Sequence, residues 1–266
     1  MEIILNGKPV QTPHATLRAL LRGGDTNTVV ILNGYQTAED LPLSPGDRVT
    51  LIPKGRLPDP EALEAMLAAR MTPGVYERLR AARVGIAGLG GLGSRIALDL
   101  ARSGVGCLHL VDFDEVEPSN LNRQQYRIAH LGMPKTQALR AQIAEVAPGV
   151  RVLCDAVRVT AENAPALFRE DPVVCEAFDA PDAKAALVNA LLARAPETVV
   201  VASSGMAGAA SANLVRTGRP FRRLYVCGDQ ATESAPGVGL MAPRVAVCAG
   251  HQANMVLRLI LGEEEP

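Results

Sequence analysis

Glycine occupies positions 88, 90, 91 and 93 in the stretch "RVGIAGLGGLGSRIALDLARSG", between a short apolar run and an amphipathic one. No other feature restricts the fold of the chain as much. A strand can pass straight into a helix, with its backbone close enough to touch a phosphate, only where the turn lacks side chains. The GxGxxG spacing of Gly88, Gly90 and Gly93 therefore predicts a strand, a tight turn and a helix whose first N–H groups face a phosphate-bearing ligand. Gly91 adds one more position without a side chain. Asp112 ends the next apolar run, "CLHLVD", at the spacing of a ribose-binding acid. To this point a mononucleotide and a dinucleotide are served equally well.

The pattern around this turn sets the architecture. "RVGIAGLG" reads as a strand and "GLGSRIALDLARSG" as a helix. "CLHLVDFD", "VRVLCDAVRV", "PVVCEAFD" and "TVVVASSG" read as further strands. They alternate with the helical runs "PKTQALRAQIAEVAPG", "ENAPALFRE" and "DAKAALVNALLARA". Such alternation implies a mostly parallel sheet with helices on both faces. "ANLVRTG" and "RRLYVCGD" read as strands added beside it, and "APRVAVCAGHQANMVLRLILG" as a buried closing helix. The fold class expected for residues 83–266 is α/β, with a Rossmann-like sheet.

Residues 1–57 follow a different plan. "EIILNGKPVQ" is two short strands around Asn6-Gly7, the strongest two-residue hairpin signal. "TLRALLRG" is a helix capped by Thr16 and stopped by Gly23. "TVVILNG" and "GDRVTLIPKG" are two more strands, the second introduced by the turn "SPGD". This order resembles a small β-grasp, or ubiquitin-like, domain of the ThiS sulfur-carrier type, over roughly Met1 to Gly55. Sulfur carriers end in a flexible Gly-Gly whose carboxylate reacts. Here the corresponding end, "LIPKGRLPDPEA", runs on into more chain, so the module has no free carboxylate and reads as a structural or docking domain. Residues 58–82 read as a helical connector, with "PDPEALEAMLAAR" started by Asp59 and Pro60 and "TPGVYERLRAA" started by Thr72-Pro73.

Composition excludes several function classes. A formal net charge of -1 and an aromatic content of 3% suit neither a dedicated nucleic-acid binder nor a stacking surface for single strands. No apolar run approaches the roughly 18 residues of a membrane helix. The start "MEIILNGKPV" lacks the basic and apolar regions of a signal peptide, so a cytoplasmic location is expected. The five cysteines contain no CxxC pair, which leaves no zinc ribbon. Cys107, Cys154 and Cys175 lie in apolar runs and read as inert buried thiols. The four histidines are scattered and require no catalytic role, with His251 read as a core residue.

"DFDEVEPSNLNRQQY" places Ser119, Asn120 and Arg123 just past the carboxyl end of the second strand, and "GMPKTQ" places Lys135 at the opening of the next helix. Two cations over a ribose-binding edge suit a polyphosphate and have no evident task beside a neutral dihydronicotinamide. Taken singly, Arg123 and Lys135 read more commonly as solvated loop residues, and it is their joint placement with "SNLNRQ" that favours the phosphate reading. Asp179 follows the strand "PVVCEAF" at the ligand-binding edge, where it reads either as a nucleotide-facing acid or as the N-cap of the next helix.

The run "AGLGGLGS…VDFDEVEPSNLNRQ…GMPKTQA…EAFDA" resembles the ThiF/MoeB/HesA family, relatives of the ubiquitin-activating enzymes. "EAFDAPDAKAALVNALL" and "GLMAPRVAVCAGHQAN" point to its ThiF-like subgroup, associated with thiamine biosynthesis. The resemblance implies adenylylation, with ATP and Mg²⁺, of the C-terminal carboxylate of a separate ThiS-like carrier ending in Gly-Gly. It implies that Gly91, with Gly88, Gly90 and Gly93, lies against the nucleotide and that Asp112 holds the ribose. Ser119, Asn120 and Arg123 fall to the phosphates, Lys135 to the reacting phosphate region and Asp179 to Mg²⁺ and the triphosphate. Arg70, in "LAARMTPG", is the best match for an arginine donated by the second subunit of a homodimer, with Arg78 and Arg80 as fallbacks.

The pattern also departs from its relatives. The paired CxxC motifs that many of them use for zinc are missing, so no zinc site is expected. The loop "CGDQATESAPGVGLMAP" has Ser234 and Ala235 where some relatives carry a cysteine that links to the carrier. The defensible chemistry stops at the acyl-adenylate. The alternatives are activation of another ubiquitin-like carrier, in molybdopterin or amino-acid sulfur pathways, a nicotinamide-dependent oxidoreductase, and a nucleotide-binding scaffold.

Overall fold

The computed structural model describes residues 1–21, 27–56 and 58–266, and these divide into two units, Met1–Glu77 and Arg78–Pro266. Residues 58–77, assigned above to a connector, fall within the first unit.

The first unit contains β1 (Glu2–Leu5), β2 (Lys8–Gln11), α1 (Leu17–Leu20), β3 (Thr28–Leu32), β4 (Tyr35–Thr37), β5 (Arg48–Pro53) and α2 (Pro60–Ala68). Its sheet has the order β2-β1-β5-β3-β4, with β1 and β5 parallel and the other pairs antiparallel. Asn6 and Gly7 have φ of 47° and 81°, the left-handed pair that a two-residue hairpin requires. Asn33 and Gly34 repeat that geometry at 49° and 87° and form a second hairpin into β4, a strand absent from the expected pattern. Thr16 caps α1 by accepting from the Ala19 N–H, while Gly23, expected to end that helix, lies outside the described residues. Ile3, Leu17, Val30, Leu43 and Val49 form the core between α1 and the sheet. Asp59 caps α2, accepting from Ala62 N at 2.8 Å.

The second unit continues with α3 (Val75–Ala81, which begins in the first unit), β6 (Arg83–Ala87), α4 (Gly91–Arg102), β7 (Cys107–Val111), α5 (Lys135–Val146), β8 (Arg151–Asp155), α6 (Ala164–Leu167), β9 (Val173–Glu176), α7 (Pro181–Arg194), β10 (Val199–Ser203), β11 (Arg216–Phe221), β12 (Leu224–Gly228) and α8 (Ala242–Ile260). The strand order is β11-β12-β10-β9-β6-β7-β8. All neighbours are parallel except β11, which runs antiparallel to β12. From β6 the chain moves outward through β7 and β8, then returns to the other side of β6 as β9. The switch point therefore lies between β6 and β9, where open α/β sheets bind ligands beyond their strand ends. Helices α4 and α8 pack together over one face. The other face carries α6 and α7, where Phe168, Leu187 and Leu191 meet Ala87, Val111, Val174 and Val200. The expected strands and helices are present, but "ENAPALFRE" yields only a single helical turn, and "ANLV" a 3-10 turn ahead of β11.

A charged cluster centred on buried His109 and Asp171 lies beside Phe168. His109 Nδ1 lies 2.6 Å from Asp171 Oδ2, and its Nε2 lies 2.8 Å from Asp155 Oδ2. Arg83 Nε donates to Asp171 Oδ1 at 2.6 Å. Gly85 makes room for this, because a Cβ there would sit 2.9 Å from Asp171 Oδ2. Burial disfavours the imidazolium, but the two carboxylates outweigh it and hold the His109 pKa above its ordinary value. A raised folded-state pKa contributes stability that is complete below the unfolded value, about 6.5, and is lost as pH rises through the folded one. The melting-temperature gap between the parent chain and His109→Gln is therefore expected to be wider at pH 6 than at pH 9, by about 2–4 °C for each kcal/mol of pairing lost. Differential scanning calorimetry at the two pH values checks this, and a gap that stays constant means a neutral ring.

Candidate functional site: a glycine turn braced by Asp112 and Tyr126

The GxGxxG segment leaves β6 at the switch point and enters α4. Gly88 has φ +88°, and a Cβ on it would sit 2.8 Å from the Phe178 ring and 2.9 Å from the Ala177 carbonyl. Gly93 is tighter still, since its Cβ would overlap the Gly88 carbonyl oxygen. At Gly91 a Cβ would meet Val245 Cγ1 at 3.0 Å and Arg123 Cγ at 3.5 Å. Gly90 is the N-cap of α4 and offers no side-chain cap, so the first N–H groups of that helix keep their capacity to bind an anion.

The two peptides that flank Leu89 are each held by a side chain. The Leu89 N–H donates to Asp112 Oδ2 at 2.6 Å, and the Leu89 carbonyl accepts from the Tyr126 hydroxyl at 2.8 Å. Burial, then Asp112 and Asp114, push the Tyr126 pKa well up, so the phenol stays protonated and donates. Asp112 also accepts from Asp114 N at 2.8 Å. Its pKa is raised by burial against the opposing pull of Lys135 and these backbone donors. Ser94 adds a further tie, donating to Gly90 O at 2.6 Å and accepting from Gln125 N at 3.2 Å.

The structure gathers most of the expected residues at this edge. Lys135 is the first residue of α5 and is buried, with Nζ 2.9 Å from Asp114 Oδ2. Ser119 and Asn120 lie in the 3-10 turn Pro118–Asn120, where Asn120 Oδ1 accepts from Glu117 N at 3.1 Å. Arg123 packs beside Gly91 and donates from Nη1 to Ser119 O and Asn122 Oδ1. Its remaining N–H groups make no hydrogen bond among the described residues. Asp179 is exposed on the turn after β9, without a side-chain hydrogen bond among the described residues. The N-cap of α7 is Ala180, with Pro181 at the first helical position, so the capping reading of Asp179 does not hold. Arg70 belongs to the first unit, exposed on the turn after α2, where Nη1 donates to Gln36 Oε1 at 3.0 Å. Arg78 and Arg80 lie on α3, donating to the Ile260 and Gly106 carbonyls.

Several contributors escaped the motif pattern. Glu176 is fully buried at the end of β9, and Lys184 Nζ reaches its two oxygens at 2.8 and 2.9 Å. Lys184 also donates to Phe178 O and Ser203 Oγ, while Glu176 accepts from Phe178 N. This ion pair sets the turn that carries Asp179. Its only sequence signal was an acid inside the apolar run "PVVCEAF". On the far side, Arg244 of α8 donates to Asp229 Oδ2 at 2.5 Å and to Ala207 O at 2.5 Å, which ties down both loops bordering β11 and β12. The Asp229 pKa is held well below the carboxylate range: burial opposes this, but the Thr232 and Ala231 backbone donors and Arg244 prevail.

Cys107, Cys175, Cys227 and Cys248 are buried and Cys154 is half-buried. Burial pushes the Cys227 thiol up to about 11. His251 is only half-buried, its Nδ1 3.0 Å from Thr217 Oγ1. Among the described residues no group of three or more His, Cys, Asp or Glu side chains is placed to hold a metal ion. No helix among them is long and apolar enough to cross a membrane.

A cavity of about 360 Å³ opens beside the turn, lined by Gly91, Arg95, Arg123, Gln124 and the Ala242-Pro243 start of α8.

The model of the ThiF family matches residues 63–266, and that of the ThiS-like ubiquitin family matches residues 1–55. The chain belongs to the ThiF family. Among its relatives, the molybdopterin-synthase adenylyltransferase of Escherichia coli K12 is 32% identical over 194 residues, 71% of this chain and 77% of that one. The sulfur carrier protein adenylyltransferase of Thermus thermophilus is 37% identical over 115 residues, 43% of this chain and 42% of that one. The probable adenylyltransferase/sulfurtransferase MoeZ of Mycobacterium tuberculosis is 40% identical over 104 residues. The ThiF-family chain described here matches 26% of the length of MoeZ, using 39% of its own. In fold it is similar to the E. coli tRNA N6-threonylcarbamoyladenosine dehydratase TcdA, solved in complex with ATP, with a TM-score of 0.68 and 20% identity over 78% of this chain and 98% of that one.

The close approach of Gly93 to the Gly88 carbonyl makes a direct demand. Gly93→Ala is expected to destabilise the second unit by more than about 2 kcal/mol, since the turn must open to admit a methyl group. Gly239→Ala, at a position where a Cβ meets nothing within 4 Å, serves as the control. Thermal denaturation of both checks this, and equal melting temperatures mean that the turn tolerates a side chain.

Proposed function

We propose that the chain adenylylates the C-terminal carboxylate of a separate ThiS-like carrier protein with ATP and releases pyrophosphate. The observation that carries this reading is the placement of Asp112, Arg123 and Lys135 around the uncapped start of α4, with Asp179 at the neighbouring strand end. The adenylyltransferase relatives support it.

The residues present fit a bound nucleoside triphosphate. Gly88, Gly91 and Gly93 form a cradle that any side chain would fill, and Arg123 keeps unused donors beside it. Asp112 presents its carboxylate at the end of β7, where a ribose would lie. Lys135, fixed on Asp114, holds a positive charge at low exposure. Asp179 would hold Mg²⁺, which when bound supplies further neutralisation of the phosphate charge.

The chemistry needs little else. A carrier carboxylate is already ionised at neutral pH, so no general base is required. One of its oxygens forms a bond to the α-phosphorus while the bond from that phosphorus to the pyrophosphate oxygen breaks. The products are a mixed acyl-phosphate anhydride and pyrophosphate. The barrier is the approach of one anion to another, which preorganised N–H groups, Arg123 and Lys135 lower electrostatically. The ThiS-like module lacks a free terminal carboxylate and is not itself the nucleophile. We place thiazole formation for thiamine first among the carrier pathways, from the likeness of "EAFDAPDAKAALVNALL" to that subgroup. We also assign Arg70, exposed on its turn, to the active site of a second copy in a homodimer.

Carrier-dependent exchange of label between pyrophosphate and ATP tests the reaction, with candidate carriers ending in Gly-Gly. Exchange is expected with one of them and is expected to fall by about 100-fold or more in Asp179→Asn, within the range seen when one preorganised electrostatic group is removed. Failure with every carrier, or protection from heat by NAD(H) but not by ATP, defeats the proposal.

A further inference from the structure

The cavity beside Gly91 holds a cation that the proposed reaction has not used. We propose that Arg95, with Arg123, forms a subsite for the terminal phosphates of the nucleotide and for the pyrophosphate that leaves, an inference that rests on the adenylylation reading above. Arg95 lies one helical turn beyond Gly91 on α4, so the two share a face of the helix. Both line the cavity of about 360 Å³, and so does Arg123, which packs beside Gly91.

Among the described residues no carboxylate lines this space. The cavity also receives the starts of two long helices, α4 at Gly91 and α8 at Ala242-Pro243, neither capped by a side chain. Arg95 has one ion pair, with Asp99 at 3.1 Å a turn further along α4. Those side chains are 42% and 31% exposed, so the pair is weak and easily exchanged for a stronger anion.

A separate observation points to a ligand. Gln124 lines the same cavity and is only 8% exposed, yet its Oε1 is buried without a hydrogen-bond partner among the described residues. A buried carboxamide left unpaired is costly. A half-turn of the amide presents an N–H in that position, which an anion would accept. Two arginines lining a space that also reaches Gly91 match a polyvalent phosphate, which forked donors bind in pairs.

The test is calorimetric titration of the full chain with ATP, AMP and inorganic pyrophosphate, in magnesium-containing buffer. Arg95→Gln is expected to weaken ATP about five- to tenfold, the loss of one charge-assisted contact, and to leave AMP within about twofold. Pyrophosphate weakened in parallel extends the subsite to the leaving product, whereas an effect on ATP alone confines it to the bound nucleotide. Asp99→Asn keeps Arg95 and removes its competitor, and is expected to tighten ATP but not AMP. Unchanged ATP affinity in Arg95→Gln, or equal loss of ATP and AMP, overturns the subsite. A parent chain that takes up neither ATP nor AMP defeats the adenylylation reading itself and the subsite with it.

Discussion

The grip on the backbone either side of Leu89 governs the rest of the second unit's ligand edge. A glycine-rich turn has many conformations available, and ordering it costs more entropy than ordering other residues. Asp112 takes the Leu89 N–H and Tyr126 donates to the Leu89 carbonyl, so the two successive peptide planes on either side of Leu89 are fixed, one from the end of β7 and one from the loop after it. With those two planes fixed, Gly93 can lie against Gly88 and α4 can start where its N–H groups face outward. The acid that would hold a ribose is thus also the acid that shapes the phosphate turn. Loss of Asp112 removes both at once, which makes its two roles inseparable by simple substitution.

Charge is distributed in two layers around this edge. The inner layer is paired: Glu176 with Lys184 and Arg244 with Asp229 away from solvent, and buried Lys135 with the half-exposed Asp114. Buried pairs of this kind add little net stability, because desolvation offsets their attraction, but breaking one leaves a charge unpaired and is expensive. They hold turns in place. The outer layer is under-satisfied: Asp179 has no hydrogen-bond partner among the described residues, Arg123 uses only part of its donor set, and Arg95 has one exposed ion pair. A site built to receive a polyanion and a cation is expected to look this way before either arrives.

Much of the fold was legible because its signals are local. Asn6-Gly7, Thr16, Asp59 and Pro60 act on residues within a few positions of themselves, and each stands where expected. β4 was missed although Asn33-Gly34 repeats the Asn6-Gly7 signal, because three residues following a turn carry too little alternation to be recognised as a strand. At Asp179 the capping alternative was locally sound but does not hold. The helix instead begins after Ala180 at Pro181, whose fixed φ favours the first helical position. The roles of Glu176, Lys184, Tyr126 and Gln124 were not legible, as each depends on a partner brought near only by the sheet.

The sequence alone determined the strand, turn and helix around Gly88–Gly93, the alternating pattern of the sheet and the presence of a ThiS-like module, because steric exclusion and hydrophobic period are properties of neighbouring residues. Only the tertiary structure decided that β9 returns beside β6, and so brings Asp179 to the edge that carries Asp112 and Lys135. It alone placed Arg95 and Gln124 in one cavity with Arg123. Such meetings depend on which surfaces are buried together, and burial is settled by the packing of the whole sheet and its helices rather than by any single segment.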